Sequence, residues 1–366
     1  MNDTIATDMV PSETDDNNLS VLDSYNEEDL LNAWTDEYGA KYSPDRKKII
    51  SAPSVQCKNY SVKSGTEIIC THSFNSAPIV QLGIPDSVKY IGEEAFFLSK
   101  ILRVNIPDSV KDIGSLAFFE SSINLIGLSN SMSRIARSMF SGCNNLHEID
   151  IPGNIRNIEE FAFEKCENLT HVHLNEGLKR IEKGAFYNCS RLMGLIIPST
   201  VSEIGGNPFL GCLTDIKCLS PHFRIKNGML FTSDMKKLIS CLYSNGVIEI
   251  PYGVEEIGDE SFNSGLTCVV IPDSVKTIGA DAFSRTSIKT MTFPKSVSKI
   301  GCYVLRNCNE LEEIHIQNEN IVIEDGLADN CESLKVIYIP KGSYSYFFDA
   351  FEKQWWLQKL LKEEKT

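Results

Sequence analysis

The 366-residue sequence lacks any apolar run of the roughly 18 residues that a membrane-spanning helix needs. Its first residues, MNDTIATDMVPSETDDNN, have neither the basic start nor the apolar stretch of a secretory signal peptide. They also contain no cysteine that could carry a lipid anchor. The sequence therefore predicts no membrane insertion and, taken by itself, a cytoplasmic location.

Basic side chains are absent from the start of the chain. Residues 1–40 contain eleven acidic residues and no Lys or Arg, so they carry most of the net charge of −14. Their polar composition predicts an acidic disordered leader over residues 1–30. The segment NEEDLLNAW, from residue 26, favours a short helix because its acidic residues fall in the first turn. No part of the chain has the basic stripe that nucleic-acid binding needs, which excludes nucleic acid as a partner.

Catalytic motifs are missing as well. The sequence has no nucleophile elbow, phosphate-binding loop, HExxH helix or dinucleotide glycine fingerprint. Its twelve cysteines include no CxxC pair, so a structural zinc site is not indicated. We therefore predict that the protein is not an enzyme, has no catalytic residue and needs no metal or cofactor.

What the sequence does contain is a repeat. The segment IPDSVKYIGEEAF at 84–96 returns as IPDSVKDIGSLAF at 106–118 and as IPDSVKTIGADAF at 271–283. The longer pattern LxxIxIPxxVxxIGxxAFxxC covers residues 61–340 in steps of 21 to 23 residues, with one interruption. A unit of this size cannot bury its own apolar face, so the units must stack on one another.

The pattern also predicts the shape of one turn of the stack. The alternation in LxxIxI indicates a short strand, and the following Pro, which has no N–H to donate, ends it. Stacking places these strands about 4.8 Å apart in one parallel sheet, with the repeated Ile and Phe inside. Six cysteines occupy the position three residues after Phe, and we expect free buried thiols there. These are Cys143, Cys166, Cys189, Cys212, Cys308 and Cys331.

The interruption and the two ends have patterns of their own. GMLFTSDMKKLIS at 228–240 matches GAKYSPDRKKIIS at 39–51, which predicts two similar hairpins. The first would lie in an N-terminal cap over residues 31–60, and the second would be an insertion near residues 219–246. Residues 341–366 predict a C-terminal capping helix that covers the last turn with Trp355, Trp356, Leu357 and Leu360. The alternative is that this helix binds a partner.

These motifs resemble the BspA-like leucine-rich repeats, whose turn reads IPxSVxxIGxxAFxxCxxL, over roughly three quarters of the chain. The resemblance implies an α/β fold of the leucine-rich-repeat class, a right-handed solenoid curved like a horseshoe with a concave parallel sheet. It also implies a surface or secreted protein associated with adhesion and with binding other proteins.

Candidate binding residues lie at the outward positions of the predicted strands, which differ at every turn while the inward positions barely change. Glu148 and Asp150 occupy the same two outward positions as His171 and His173 one turn later, an arrangement that permits a divalent metal site. A polar patch on the solvated face is the alternative. The candidates are Arg103, Asn105, Glu148, Asp150, His171, His173, Glu313, His315 and Tyr338.

Three functions follow from these observations. The resemblance favours an adhesin-like protein that recognises a host or matrix protein through the concave face. The acidic leader and the thiol-rich interior, which suits a reducing compartment, favour an intracellular scaffold with a cellular protein partner. A metal-dependent enzyme at Glu148, Asp150, His171 and His173 is the remote alternative.

Overall fold

The computed structural model describes residues 25–54, 57–212, 215–242, 246–262 and 264–364. Most of the predicted disordered leader, residues 1–24, lies outside the described residues. The short helix predicted from NEEDLLNAW is confirmed, and Asn26 and Asp29 form its capping box. None of the helices in the described residues is long and apolar enough to span a membrane.

Short strands make up most of the regular structure. In chain order, the first half contains α1 (Glu27–Leu31), β1 (Trp34–Thr35), β2 (Lys41–Tyr42), β3 (Lys48–Ser51), β4 (Asn59–Ser61), β5 (Ile68–Ile69), β6 (Gln81–Gly83), β7 (Tyr90–Ile91), β8 (Arg103–Asn105), β9 (Asp112–Ile113), β10 (Leu125–Gly127), β11 (Arg134–Ile135), β12 (Glu148–Ile151), β13 (Asn157–Ile158), β14 (His171–Leu174), β15 (Arg180–Ile181), β16 (Ile196–Ile197), β17 (Glu203–Ile204) and β18 (Lys217–Cys218). The second half contains β19 (Phe223–Lys226), β20 (Met229–Thr232), β21 (Lys237–Cys241), β22 (Gly246–Glu249), β23 (Glu256–Ile257), β24 (Leu266–Val270), β25 (Thr277–Ile278), β26 (Thr290–Phe293), β27 (Lys299–Ile300), β28 (Glu313–Ile316), β29 (Val322–Ile323), β30 (Val336–Ile339), α2 (Tyr344–Ala350), a 3₁₀ turn (Glu352–Gln354), α3 (Trp355–Gln358) and β31 (Leu361–Glu363).

The LxxIxI segments form the parallel array that the repeat predicts, and we call it the long-strand sheet. In β12, Ile149 and Ile151 are buried while Glu148 and Asp150 are exposed, as the alternation predicts. The array consists of five hydrogen-bonded groups of strands, which are β4-β6-β8-β10, β12-β14, β16-β18, β22-β24 and β26-β28-β30-β31. The predicted solenoid of stacked, roughly 22-residue turns is therefore confirmed.

A second parallel ladder, absent from the prediction of one sheet, lies on another side of each turn. It consists of two-residue strands that carry the repeated Ile: β5, β7, β9, β11, β13, β15, β17, β23, β25, β27 and β29. The Gly after that Ile is explained by crowding. A Cβ on Gly114 would lie 2.5 Å from the backbone nitrogen of Glu93 in the preceding turn, and the φ angle of Gly114 is not positive.

The third side of each turn, the AFxxC segment, is built from left-handed residues instead of helix. Glu94 and Leu98 have φ angles of 52° and 53°, a conformation that costs a non-glycine residue roughly 1–2 kcal/mol. Hydrogen bonds to the next turn hold it: the Glu94 N–H donates to Ser115 O at 3.0 Å and the Leu98 N–H to Phe119 O at 2.9 Å. Each turn thus bonds to the next on this side as well.

The core is a pair of apolar ladders, as predicted from the Ile and Phe positions. Stacked phenyl rings run along the first segment with centroid separations of 4.8 to 6.0 Å. These rings belong to Phe74, Phe96, Phe118, Phe140, Phe163, Phe186 and Phe209. Phe262 and Phe283 continue the arrangement in the second segment at 4.8 Å.

The repeated cysteines are free thiols with a common hydrogen-bonding role. Each donates to the backbone carbonyl at the Phe position of the preceding turn: Cys143 Sγ lies 2.9 Å from Phe118 O, and Cys331 Sγ lies 2.9 Å from Leu305 O. None of the twelve cysteines, all of which lie in the described residues, forms a disulfide bond, and eight of them are buried. The prediction of free buried thiols at this repeat position is confirmed.

Two similar three-stranded antiparallel units begin the two runs of repeats. The strand β3 of the unit β1–β3 pairs in parallel with β5, and β21 of the unit β19–β21 pairs in parallel with β23. Equivalent ion pairs follow, with Lys47 Nζ 2.6 Å from Glu67 and Lys236 Nζ 2.8 Å from Glu255. The matched segments 39–51 and 228–240 therefore adopt matching structures.

The second antiparallel unit, β19–β21, lies between two hydrophobic cores and separates them. Leu230 and Ile239 belong to the core of the first segment, whereas Phe231 and Leu238 belong to the core of the second. On the third side, the stack continues past the unit: Asn207 Nδ2 donates to Glu260 O at 2.8 Å, a side-chain bond in place of the usual backbone bond.

The C-terminal segment differs from the predicted single capping helix. It contains α2, a 3₁₀ turn and α3, and then β31 adds a parallel strand to β30. Leu357 is buried and Trp356 and Leu360 pack against the second core, as predicted, but Trp355 is 60% exposed. The segment closes the stack partly by extending its sheet, because the Ile337 N–H donates to Leu360 O and the Glu364 N–H to Ile339 O.

Candidate interaction surface

The solvent side of the long-strand sheet, which we call the long-strand face, contains all nine residues predicted to bind a partner. Because the strands alternate, every turn presents one or two side chains on this face. Arg103, Asn105, Glu148, Asp150, His171 and His173 are exposed, and Glu313, His315 and Tyr338 are half-buried.

The first of two shallow depressions on this face surrounds Arg103. It has a volume of about 480 Å³ and is lined by side chains of β6, β8 and β10. The guanidinium of Arg103 has no ion-pair or hydrogen-bond partner among the residues that the structure describes. The Asn105 side chain lies over Gly127, where a Cβ would come within 2.2 Å of Asn105 Oδ1. The depression therefore offers an unpaired cation beside an amide.

The second depression, also of about 480 Å³, is mainly apolar. Its lining includes His171, His173, Met193, Ile196 and Leu219. The last three side chains are 46–55% exposed, although all are large and apolar. No Lys or Arg is among its lining residues.

Carboxylates flank the second depression. Glu176 accepts hydrogen bonds from the backbone N–H and the Oγ of Ser199 at 3.1 and 2.9 Å, and these bonds lower its pKa. Asp150 accepts from Asn175 Nδ2 at 3.0 Å. The carboxylate of Glu148 has no ion-pair or hydrogen-bond partner among the described residues. Glu148, Asp150 and Glu176 thus place three carboxylates on this side of the depression, whereas Lys217 lies beside Ile196 on β18.

The predicted four-residue patch is assembled in register. The parallel pairing of β12 with β14 places Glu148 opposite His171 and Asp150 opposite His173. However, the residues that the structure describes contain no group of three or more His, Cys, Asp or Glu side chains that could hold a metal ion. His171 Nδ1 lies 3.0 Å from Thr170 Oγ1 instead. The four side chains thus lie on adjacent strands without the ligand geometry of a metal site among the described residues.

At the C-terminal end of the face, the candidates contact one another and β31. The imidazole of His315 stacks on Tyr338 at 4.6 Å and lies 3.3 Å from Glu313 and 3.6 Å from Glu364. Lys362 lies 5.9 Å from the Tyr338 ring. Glu313, His315 and Tyr338 are thus partly engaged within the chain, which the sequence prediction missed because it placed a helix where β31 forms.

The candidates predicted from sequence also omit an apolar part of the face. Ile196, Leu219, Val247 and Val270 are 46–66% exposed in the middle region. The sequence does hold a signal for them: apolar residues at outward strand positions that are polar in neighbouring turns. They do not form one continuous apolar row, because Ile196 pairs with Lys217 and Val270 pairs with Glu249. Exposed apolar residues that stand singly are ordinary on a protein surface.

Comparisons with known proteins agree with this architecture. The family model for the BspA type leucine-rich repeat region matches residues 67–193 and 240–356 in six copies. The crystal structure of a leucine-rich cell surface protein from Faecalibacterium prausnitzii is 24% identical, with a TM-score of 0.69, and the match covers 91% of this chain and 95% of that chain. The pneumococcal vaccine antigen PcpA is 17% identical, with a TM-score of 0.58, and the match covers 91% of this chain and 99% of that chain.

At these identities the structural likeness concerns the fold alone. No curated protein sequence matches the chain significantly. Leucine-rich-repeat proteins are generally non-enzymatic and typically bind other proteins through extended surfaces. The family match covers about two thirds of the chain and agrees with the repeat pattern and the stacked parallel strands. This protein therefore belongs to the BspA-type leucine-rich repeat family.

Proposed function

We propose that this protein is a non-enzymatic, adhesin-like binding protein that recognises another protein through the long-strand face. The observation that carries the proposal is the contrast between the two sides of this sheet. The inward side chains are apolar at every turn, whereas the outward ones range from Arg103 to Glu148 to Ile196. A repeat fold keeps the first set for stability and leaves the second free to fit a partner.

A location outside the cell is part of the proposal. It is supported by the likeness to the F. prausnitzii protein, which is described as a cell surface protein. The partner would then be a host or matrix protein.

An intracellular scaffold that binds a cellular protein is the second candidate. The observation that favours it is the set of twelve free cysteines. Oxidising compartments normally convert thiols to disulfides, so this number of free thiols is typical of a reducing compartment.

Protease treatment of intact cells that produce the protein separates the two candidates. Mass spectrometry would follow peptides from the exposed long-strand face, for example those that contain His171. We expect these peptides in the released fraction, together with those of an established surface protein. Protection of the peptides until the cells are lysed would overturn the adhesin proposal and favour the scaffold.

A binding experiment tests the face itself. The immobilised full chain would be incubated with solubilised host-surface and matrix proteins, beside the variant R103A/E148A/D150A/H171A. A matched control, D86A/K111A/D273A, makes the same change in net charge at exposed turn positions outside the sheet. We expect the first variant to lose the bound partner and the control to keep it. Equal binding by all three proteins would remove the long-strand face from the proposal.

A further inference from the structure

The charged and apolar groups of the long-strand face follow a fixed order along the stack. Arg103 lies on β8, Glu148 two long strands further on β12, and Ile196 two long strands further again on β16. Since neighbouring strands are about 4.8 Å apart, the three groups are spaced by about 10 Å. From β8 to β16 the face therefore presents a cation, an anion and an apolar depression at regular intervals, and Lys217 on β18 adds a second cation beside Ile196.

Neither of the two charged side chains, Arg103 and Glu148, forms an ion pair with any residue that the structure describes. Elsewhere in the stack, charges pair across successive turns: Glu67 bridges Lys47 and Lys89, and Glu255 bridges Lys236 and Lys276. On the long-strand face, Leu125 separates Arg103 from Glu148, and neither has a salt-bridge partner among the described residues. Unpaired charges of opposite sign at fixed spacing favour a ligand with the complementary order.

The shape of the face favours a helix as that ligand. A sheet face has no free backbone donors or acceptors, so an extended peptide crossing the apolar depression would leave its own backbone groups without partners. A helix bonds its backbone internally and presents only side chains. Its rise of about 1.5 Å per residue puts residues i, i+7 and i+14 on one side at intervals of about 10 Å, which matches the spacing of the face.

We propose that the long-strand face between β8 and β18 binds an α-helix of the partner protein laid along the stack. From the Arg103 end, the helix presents an acidic, a basic and a large apolar side chain at i, i+7 and i+14. The acidic side chain meets Arg103 and the basic one meets Glu148 and Asp150. The apolar one enters the depression formed by Met193, Ile196 and Leu219. This inference rests on the proposed function and specifies the partner chemistry.

Designed helical peptides test the order of the groups on the full-length chain. The matched probe is an alanine- and glutamine-rich helix with Glu, Lys and Leu at seven-residue spacing. A second probe exchanges Glu and Lys, a third replaces Leu by Ala, and each is also made in the reversed chain direction. Fluorescence anisotropy would measure the binding of each labelled probe at low and high salt.

We expect a matched probe to bind about tenfold more tightly than its charge-exchanged partner, because two exposed ion pairs become like-charge contacts. The double variant R103E/E148R should prefer the charge-exchanged probe, and I196D should weaken both probes. The control D86K/K111E, which changes exposed turn residues, should leave the preference unaltered. Circular dichroism would establish that each variant keeps the fold.

Two results would overturn the inference: no probe binding at millimolar concentration, or a preference that the double variant fails to exchange. Its failure is distinguishable from failure of the proposed function. If a natural partner is lost with R103A/E148A/D150A/H171A but is retained by R103E/E148R, the face binds a protein without using this charge order.

Discussion

Leu230 and Phe231 are adjacent in the sequence, yet their side chains lie in different hydrophobic cores. Both belong to β20, where successive side chains point to opposite faces, and both faces of this strand are buried. The inserted antiparallel unit therefore ends one stack of turns and begins the next. The described part of the chain has two hydrophobic cores, and this unit packs against both of them.

This relationship predicts that neighbouring substitutions will loosen different halves of the molecule. Leu230→Ala should cost about 2–5 kcal/mol and Phe231→Ala about 3–5 kcal/mol of unfolding free energy. Hydrogen exchange followed by mass spectrometry should show faster exchange mainly in residues 57–212 for the first variant and mainly in residues 246–364 for the second.

The two variants serve as each other's control, since the substitutions are one residue apart. An identical exchange pattern for both variants would contradict the assignment of the side chains to separate cores. It would indicate that the two segments unfold as one unit.

Burial predicts which cysteines react. Cys143 is fully buried, and burial raises the pKa of its thiol to about 12, so almost no thiolate is present at pH 8. Cys268 is exposed. In the native protein, iodoacetamide should modify Cys268 fastest and leave the eight buried cysteines unmodified, whereas all twelve should react in denaturant.

Peptide mass spectrometry after a time course would read out each site. The variant C268S should lose the fast phase without any change in the others. Rapid native modification of Cys143 would contradict the buried thiol ladder.

Arg134 makes an ion-pair network that spans three turns. Its guanidinium lies 3.1 Å from Asp112 and 3.0 Å from Glu159, and the side chain is only 19% exposed. Arg134→Met should cost about 2–3 kcal/mol, because it removes hydrogen bonds between charged groups and leaves two carboxylates without their shared cation.

Arg180 is a matched control because it occupies the same repeat position and contacts Glu182 and Glu203, but its side chain is 45% exposed. Arg180→Met should cost less than about 1 kcal/mol. Urea denaturation of both variants would measure the difference. Equal costs would mean that burial does not strengthen the Arg134 network.

Two equivalent glutamates should make stability depend on pH in acid. Hydrogen bonds from Lys47 and Lys89 lower the pKa of Glu67 from 4.5 to about 2, and those from Lys236 and Lys276 do the same for Glu255. Because the folded-state pKa values are depressed, the stabilisation is complete above about pH 4.5. It is lost as the pH falls towards 2.

The variant E67Q/E255Q should therefore have a lower urea midpoint than the natural protein at pH 7, with the gap closing between pH 4.5 and pH 2. High salt should shrink the gap because these pairs are at the surface. E310Q, at an exposed glutamate with no ion pair among the described residues, should show no such gap. A gap that persists at pH 2 would contradict the explanation.

The candidate surface could be predicted in part. The outward positions of LxxIxI identified the row from Arg103 to His173, because strand alternation fixes which side chains face solvent once the inward ones are known. The sequence did not show that Tyr338 pairs with Lys362 of β31 or that His315 lies 3.6 Å from Glu364, the residue after β31. Those contacts depend on β31, which pairs with β30 of the last turn and comes from a segment whose composition suits a helix.

The sequence by itself determined the stacked coil, since a 22-residue period with Ile and Phe at fixed positions can bury its apolar side chains only between neighbouring turns. Tertiary structure decided the second ladder, because two-residue strands are too short to show an alternation of apolar and polar residues. It also decided the left-handed turns at Glu94 and Leu98, because residues other than glycine give no sign of a positive φ. Tertiary structure also decided that β20, through Leu230 and Phe231, separates two hydrophobic cores. In the sequence, the continuous apolar run of β20 indicates that both faces of this strand are buried. Which core each face contacts depends on how the turns stack on its two sides.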